Sequence, residues 1–206
     1  MSQVVIVGAG TALDDAWEVA CECFNEPLKL PVLSPDDFNF DLAPLLSAHP
    51  TTQTRVFVAM DARAVNYVRH RLIAQVQLAG YELVSLVSPD ATLDAGAKIA
   101  RNVYIGPGSS VGPQCSLGPG SWLARRVVLD RGVSLGACVT LASAVVLGAQ
   151  VRVGTGSTLS AGSVALAGCD VGKRCEWLLG ATLPGRLPDY SFYDALMPEG
   201  ARIYRN

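Results

Sequence analysis

An aliphatic residue returns at every sixth position over about one hundred residues, and this period restricts the possible folds more than any other feature. Of the seventeen positions in phase between residues 87 and 183, fifteen are Val, Leu or Ile. The fourth residue after each is Ala, Val, Ser or Cys at sixteen positions, and Leu187 is the exception. A phase held this long without an insertion is typical of a hexapeptide-repeat solenoid.

The two periodic positions explain how such a chain builds a core. Two inward side chains per six residues form one flat face of a prism, three faces form one coil, and coils stack at the strand spacing of about 4.8 Å. The repeat therefore predicts a left-handed parallel β-helix over residues 87–188, with a little under six coils. Many outward residues are small or apolar, such as Pro107, Pro113, Pro119 and Ala124. We expect these flat faces to associate into a homotrimer.

Residues 1–86 lack the period and predict a separate α/β domain with a parallel sheet. The predicted elements are strands at 4–7, 31–33, 55–60 and 81–86, and helices at 14–23 and from Asp61 to Gly80. Asp61 is a good N-cap for the second helix, whose apolar face comprises Val65, Val68, Leu72 and Val76. Residues 189–206 are rich in aromatic and apolar side chains, and we expect this tail to cap the open end of the solenoid.

Composition excludes several functional classes. The net charge is −2, only 17% of residues are charged, and no basic run follows the chain, so we expect no nucleic-acid partner. No apolar stretch is long enough for a bilayer span, and we expect a soluble, cytoplasmic protein without a membrane partner. The six cysteines lack paired spacing and are expected to be reduced. Cys115, Cys169 and Cys175 fall in the small inward position, whereas Cys138 falls at an outward or corner position.

Several motifs outside the repeat narrow the family. The chain opens with Val4-Val5-Ile6-Val7-Gly8-Ala9-Gly10, continues with the pair Asp36-Asp37, and contains a helix with Asn66 and Arg69. Gly80-Tyr-Glu-Leu-Val-Ser-Leu-Val-Ser-Pro-Asp-Ala91 then leads into the hexapeptides. Together these segments resemble the sugar O-acyltransferase family of sialic acid O-acetyltransferases and UDP-bacillosamine N-acetyltransferases. The resemblance extends from residue 4 to about residue 187 and implies a Rossmann-like N-terminal domain.

The resemblance implies a trimer that binds acetyl-CoA between adjacent β-helices and a nucleotide-linked sugar on the N-terminal domain. The residues implied for the nucleotide sugar are Gly8, Ala9, Gly10, Asp36 and Asp37. The residues implied for CoA are Ala149, Ala161, Gly162, Leu179, Gly180, Ala181 and Thr182. Simpler interpretations stay open, because Gly8–Gly10 also suits a plain strand-to-helix turn and Asp36-Asp37 a solvated loop. Gly162 and Gly180 also suit the corners of a solenoid.

The sequence departs from the family at the catalytic base. The resemblance implies a histidine followed by an acid where this chain has Arg131 and Gly132, and a second histidine at Thr140. The only histidines are His49 and His70, both outside the repeat. They are too few for the zinc site of β-helix carbonic anhydrases, and we expect no metal.

The missing base favours an amine as the acyl acceptor. A hydroxyl is almost never ionised at neutral pH, whereas an amine resembling an α-amino group, with a pKa of about 7.7 to 8.0, is partly neutral. We expect Asp130 to bind the ammonium or take its proton, and Arg131 to neutralise a phosphate or the oxyanion. An exposed turn pair is the alternative for both residues. The predicted function is CoA-dependent acetyl transfer to an amine; a non-catalytic trimeric relative and an O-acyltransferase with a displaced base stay open.

Overall fold

A computed structural model describes residues 2–34, 36 and 38–203, so that Asp37 lies outside the described residues. The N-terminal part is a four-stranded parallel sheet in the order β2-β1-β3-β4 with three helices. Its elements are β1 (Gln3–Gly8), α1 (Gly10–Cys23), β2 (Leu28–Pro31), α2 (Ala43–Ala48), β3 (Thr54–Ala59), α3 (Tyr67–Leu78) and β4 (Glu82–Leu83).

The central strand β1 explains why this sheet forms. Its apolar run is buried on both faces, which is typical of a parallel strand covered by helices. Ile6 packs with the buried residues of α1, and Val5 packs with those of α3. Gly8 is required for close packing, because a Cβ there would lie 1.7 Å from the carbonyl oxygen of Ala59. The turn after β1 thus has a structural reason for its first glycine.

The rest of the chain is a parallel β-solenoid of about six turns, which confirms the fold predicted from the repeat at this level. The face that α1 and α3 cover, here the covered face, contains β5 (Leu86–Val87), β8 (Tyr104–Ile105), β11 (Trp122–Leu123), β14 (Thr140–Leu141), β17 (Thr158–Leu159), β20 (Glu176–Trp177), β22 (Ser191–Tyr193) and the antiparallel β23 (Ala201–Arg202). The second, here the aliphatic face, contains β6 (Thr92–Leu93), β9 (Ser110–Val111), β12 (Val128–Leu129), β15 (Val146–Leu147) and β18 (Val164–Ala165). The third, here the polar face, contains β7 (Lys98–Ile99), β10 (Ser116–Leu117), β13 (Ser134–Leu135), β16 (Arg152–Val153), β19 (Asp170–Val171) and β21 (Arg186–Leu187).

The periodic side chains fill the solenoid as the spacing predicts. Leu129 pairs with Leu147 in the next coil, and both are buried. Inward serines are satisfied locally, since the Ser109 hydroxyl donates to the Ala124 carbonyl at 2.9 Å. Three inward cysteines predicted to be core residues are buried, which confirms that prediction. These are Cys115, Cys169 and Cys175.

Three edges separate the faces, and their positions matter for the site. The front edge joins the covered and aliphatic faces at residues 107–108, 125–126, 143–144, 161–162 and 180. The back edge joins the aliphatic and polar faces at 113–114, 131–132, 149–150 and 167–168. The inner edge joins the polar and covered faces at 101–102, 119–120, 137–138, 155–156 and 173–174, and it packs against the N-terminal part. Asn102 on this edge exchanges two hydrogen bonds with the Val58 backbone, at 2.7 and 2.9 Å.

Several local predictions for the N-terminal part were wrong. The helix predicted from Asp61 begins at Tyr67, because Ala64, Val65 and Asn66 have φ values of 50°, 53° and 59° and form a left-handed turn. The second strand ends at Pro31 rather than at residue 33, since its register aligns Pro31 with Gly8 at the end of β1. Helix α2 was missed.

Two further differences concern the solenoid. Cys138 does not face an open groove but is 1% exposed, because the inner edge is covered by α3. The six-residue phase holds as far as Leu183, which is buried in the core, while Val164 still pairs with Thr182. It ends there, because Val171 pairs with Leu187, whereas the phase predicts pairing with Asp189. The last coil is therefore shorter than the others.

Within the described residues, no helix is long and apolar enough to cross a membrane.

Candidate functional site

The left-handed turn before α3 joins the N-terminal part to the solenoid through Asn66. Its side-chain amide donates to the carbonyl oxygen of Gly156 at 3.0 Å and to the Thr158 hydroxyl at 2.9 Å. Its side-chain oxygen accepts a hydrogen bond from the Thr140 hydroxyl at 2.7 Å and another from Arg69. Asn tolerates the left-handed region better than most residues, so the backbone conformation and the contacts favour the same residue type.

Arg69, one turn further along α3, is a charged side chain that is only 1% exposed. Its guanidinium donates to the carbonyl oxygens of Met60 at 3.2 Å and Cys138 at 3.3 Å and to the Thr140 hydroxyl at 2.5 Å. Burial lowers the pKa of Arg69, but a guanidinium stays charged in proteins. In the described part of the chain no carboxylate forms an ion pair with it, and its Nε has no hydrogen-bond partner.

Arg69 lines a cleft of about 200 Å³ between the N-terminal part and the covered face, here called the acceptor cleft. Its walls come from the start of α1, from the segment before α3, and from β11, β14 and the front edge. Its lining residues are Thr11, Ala12, Asp15, Met60, Asp61, Ala62, Arg69, Trp122, Ala124, Thr140, Ala142 and Ser143. The cleft therefore combines a buried cation, two carboxylates and two threonines.

The two carboxylates of the acceptor cleft differ in how they are held. Asp61 accepts hydrogen bonds from Nε and Nη2 of Arg63, both at 2.7 Å, and these bonds lower its pKa. Asp15 is partly buried, and among the described residues no hydrogen bond or ion pair reaches its carboxylate. Burial raises the pKa of Asp15, with Arg125 opposing that effect. Asp15 is thus the carboxylate that is available to a ligand.

The front edge passes beside this cleft, because Ser143 lines both the cleft and a hollow that Arg125 and Arg126 also line. Ala161 and Gly162, predicted to bind CoA, lie on the same edge, where the Gly162 amide donates to the Ser143 carbonyl at 3.0 Å. The edge continues to Gly180, Ala181 and Thr182, all exposed. Leu179 differs from these residues, because its side chain is partly buried and packs against the solenoid core.

The back edge carries the remaining residues that were predicted to take part in catalysis or to bind CoA. Arg131 and Ala149 stack there in adjacent coils, with the Gln150 amide donating to the Arg131 carbonyl at 2.9 Å. Asp130 is exposed, and its carboxylate accepts the Arg131 amide at 2.6 Å. Within one chain the aliphatic face separates this edge from the front edge. The structure thus does not bring Asp130 and Arg131 to the acceptor cleft of their own chain.

The residues predicted for the nucleotide sugar lie near the carboxyl end of β1. Gly8, Ala9 and Gly10 form the turn into α1, directly before the Thr11 and Ala12 wall of the acceptor cleft. Asp36 is exposed and accepts backbone amides of Phe38 at 3.0 Å and Asn39 at 2.7 Å. These bonds and the Asn39 side chain lower the pKa of Asp36 to about 2. Its carboxylate is therefore engaged by its own loop.

Sequence reasoning missed the part played by Asp15, Asn66 and Arg69. Asn66 and Arg69 were part of the motif that carried the resemblance, and Thr140 was the expected place of a second histidine, but no periodic signal joins these positions. Both histidines lie away from the acceptor cleft: His70 is exposed on α3, and His49 ends α2. Among the described residues, no three His, Cys, Asp or Glu side chains are placed to hold a metal ion.

Comparison with known proteins supports this architecture. Neither a protein-family model nor a curated protein matches the sequence. The acetyltransferase domain of PglB from Neisseria gonorrhoeae superposes with a TM-score of 0.50 at 16% identity, covering 98% of this chain and 100% of that domain. Its complex with acetyl coenzyme A gives a TM-score of 0.50 at 17% identity, covering 93% and 96%.

A third solved structure is PerB from Caulobacter crescentus in complex with CoA and GDP-perosamine. It superposes with a TM-score of 0.53 at 22% identity, covering 93% of each chain. The resemblance predicted from the sequence is confirmed at the level of the fold, because the PglB acetyltransferase domain and PerB superpose over nearly the whole chain. At such identities the likeness establishes the fold of this chain.

Proposed function

We propose that this protein transfers an acetyl group from acetyl-CoA to an amine of a nucleotide-linked sugar or a similar small polar acceptor. The solenoid is then a left-handed β-helix, and the sheet of residues 1–86 is a Rossmann-like domain that binds the nucleotide. The names of the structural neighbours support this proposal, since one binds acetyl coenzyme A and another binds CoA with GDP-perosamine. Residues 189–206 are a capping tail in this proposal, and the last three of them lie outside the described residues.

One observation carries the proposal more than any other: the acceptor cleft opens onto the front edge at Ser143. The cleft offers charged and hydroxyl groups suited to a polar sugar. The edge beyond it presents the small residues Ala161, Gly162 and Ala181, so an extended pantetheine chain meets little steric obstruction there. A Cβ added at Gly162 would find no atom closer than 3.9 Å, which also leaves this corner open. Acceptor and acyl donor can therefore meet at one point.

The aliphatic face supports assembly into a trimer. Val128 and Val146 point outward from adjacent strands and are 40% and 38% exposed in the single chain. A stripe of aliphatic side chains on a flat face is stabilised by burial against another chain. In a three-fold arrangement with this face toward the axis, the front edge of one chain lies beside the back edge of the next. A groove lined by both edges results.

This arrangement gives each predicted residue a role. Acetyl-CoA supplies the activated acyl group and lies in the groove, along Ala161 and Gly162 of one chain and Ala149 of the next, with its nucleotide near residues 179–182. Asp130 and Arg131 of the neighbouring chain then face the acceptor cleft. Asp130 attracts the ammonium of the acceptor, and Arg131 neutralises a phosphate or the oxyanion. Gly8–Gly10 and Asp36 lie at the nucleotide end of the acceptor, as does Asp37, which is outside the described residues.

Calorimetric titration with acetyl-CoA and with desulfo-CoA, together with a sizing measurement, tests this proposal. We expect micromolar binding to a trimer, and acetyl transfer to nucleotide-linked amino sugars. Arg131→His is expected to raise the rate, because it restores a general base worth about 10²- to 10⁴-fold. Asp130→Asn is expected to lower it.

A second function is favoured by one observation: residues 87–188 contain no histidine. A relative that has lost its base can persist as a trimeric binding protein without catalysis. Absence of CoA binding to a well-folded trimer would support this alternative and contradict acyl transfer. Binding without turnover, followed by activity in Arg131→His, would indicate an intact site that lacks only its base.

A further inference from the structure

We propose that Asp15 is the residue that takes the proton from the acceptor amine, in the acceptor cleft of its own chain. This inference rests on the proposed function and deepens it, because it assigns the base to helix α1 rather than to the hexapeptide repeat. It also identifies the acceptor chemistry as an amine held beside a carboxylate and a guanidinium. The proposal follows from the cleft geometry and from which charges in it are already engaged.

The geometry leaves one carboxylate available to a ligand in the acceptor cleft, which the buried Arg69 also lines. Asp61 is held at both oxygens by Arg63, so it is poorly placed to bind a ligand. Asp15 lines the same cleft without a hydrogen bond to its carboxylate, as far as the described residues extend. Arg69 is buried there with an unpartnered Nε. Asp15 is therefore the group that is free to meet a ligand, with the Arg69 charge in the same cleft.

The surroundings of Asp15 suit a proton acceptor. Burial raises the pKa of its carboxyl, which makes it a stronger base than an exposed aspartate. The neighbouring charges are not paired with it: Arg125 is engaged by Glu18 at 2.9 Å, and Tyr104 donates to the Asp15 main-chain carbonyl at 3.4 Å. The charged and titratable groups that face Asp15 are Asp14, Glu18, Asp61, Arg69, Tyr104 and Arg125.

The chemical step balances without another reactant. The amine nitrogen attacks the carbonyl carbon of the acetyl thioester, a C–N bond forms, and the C–S bond breaks as the CoA thiolate leaves. The acceptor enters as an ammonium, and one of its protons first passes to the Asp15 carboxylate, which frees the neutral nitrogen for this attack. A second proton leaves the nitrogen for the departing thiolate as the new bond forms, and Asp15 then gives its proton to water. The Arg69 guanidinium supplies a positive charge in the same cleft, which attracts an oxygen of the acceptor and so helps to position the amine.

Asp15→Asn is the test, with Asp14→Asn as the matched control on the same helix. Asp14 pairs with Lys29 on the surface at 2.5 Å and does not line the cleft, so its replacement changes the same charge without touching the site. The probes are GDP-perosamine and GDP-rhamnose, which carries a hydroxyl in place of the amine. Acetyl transfer and the binding of each probe are measured for the wild-type protein and both variants.

We expect Asp15→Asn to lower kcat/KM about 10²-fold at pH 7, while Asp14→Asn retains the wild-type value. The pH profile distinguishes a base from a structural residue. In the wild type, one proton is shared between Asp15 and the amine, so kcat/KM is level between their two pKa values. In Asp15→Asn only the neutral amine reacts, and kcat/KM rises tenfold per pH unit up to the pKa of the amine, about 8 by analogy with an α-amino group.

The outcomes separate this inference from the proposed function. If the wild type transfers acetyl groups and Asp15→Asn retains its rate and its level pH profile, the role of Asp15 is overturned and the proposed function stands. If the folded wild type transfers an acetyl group to neither probe, acyl transfer to these amines is overturned. The role of Asp15 is then tested by the binding of the two probes alone. A preference for GDP-perosamine over GDP-rhamnose that only Asp15→Asn abolishes would support Asp15 as the amine-binding group. Equal binding of both probes by the wild type, or no binding of either, would overturn this role of Asp15.

Discussion

Replacing Asn66 measures how strongly the N-terminal part is held to the solenoid. Its side chain makes three hydrogen bonds to neutral groups, at Gly156, Thr158 and Thr140, and one to the Arg69 guanidinium. At about 1 kcal/mol for each neutral bond and about 2 kcal/mol for the charged one, their loss costs about 4 to 5 kcal/mol. Asn66→Ala and Asn66→Gly are both expected to lower the free energy of unfolding by this amount.

The two variants also separate side-chain contacts from backbone conformation. At φ 59°, alanine is strained by about 1 to 2 kcal/mol, whereas glycine is not, although glycine loses about 0.4 to 1 kcal/mol through its more flexible unfolded chain. Asn66→Gly is therefore expected to be more stable than Asn66→Ala by about 0.5 to 1 kcal/mol. Gln114 is the matched control, because it is exposed on the back edge at φ 62°. The Gly and Ala variants of Gln114 should differ from each other by a similar free energy of unfolding, yet both should stay close to the stability of the wild type.

Urea unfolding at a fixed protein concentration, followed by tryptophan fluorescence, measures these differences. Trp122 is a useful reporter, because its ring stacks on Tyr104 at 4.0 Å and lies 5.9 Å from the Arg69 guanidinium. Two results would refute the reasoning. Asn66 variants within 1 kcal/mol of the wild type would mean that the buried network adds little. An Asn66→Gly protein less stable than Asn66→Ala would mean that the left-handed turn is not retained.

Two further predictions concern assembly and pH. Val146→Asp is expected to convert the proposed trimer to monomers in a sizing measurement, because it places an unpaired charge in the proposed apolar interface. Ser134→Asp on the polar face should remain trimeric, and a trimeric Val146→Asp would contradict the proposed interface. The Asp36 carboxyl should titrate near pH 2 in an NMR titration, since its loop lowers its pKa to about 2. The loop is then stabilised above the usual pKa of 3.8 and loses that stabilisation as the pH falls through 2. A midpoint near 3.8 would show that these hydrogen bonds do not form.

The solenoid was predictable because each position of a hexapeptide has one physical role. An inward position accepts only an apolar or small side chain, so the pattern repeats wherever the coil repeats. The prediction failed where this rule relaxes: the last coil is shortened after Leu183, and Leu187 rather than a residue in phase occupies the strand. The start of α3 was missed for a related reason. Asn66 takes a left-handed conformation to reach Gly156, a contact that the local sequence does not record.

The acceptor cleft was not predictable in the same way. Asp15, Arg69 and Thr140 come from a helix, a second helix and a solenoid strand, and they meet only because α1 and α3 pack on the covered face. Cys138 illustrates the same effect. Its corner position indicated exposure, but docking of α3 buries it, and burial raises the pKa of its thiol, so that it is a neutral packing group.

The charges of the acceptor cleft also bear on the choice between amine and hydroxyl acceptors. An aspartate, even with a raised pKa, is far too weak a base to ionise a hydroxyl, whereas an ammonium with a pKa of about 8 can pass its proton to a carboxylate at a much smaller cost. A hydroxyl acceptor would need an imidazole, and Arg131 stands where the resemblance implies one. The proposed site, with a carboxylate in the cleft and arginine at the repeat, is therefore matched to amines. Arg131→His should extend its activity toward hydroxyl acceptors more than it raises activity toward amines.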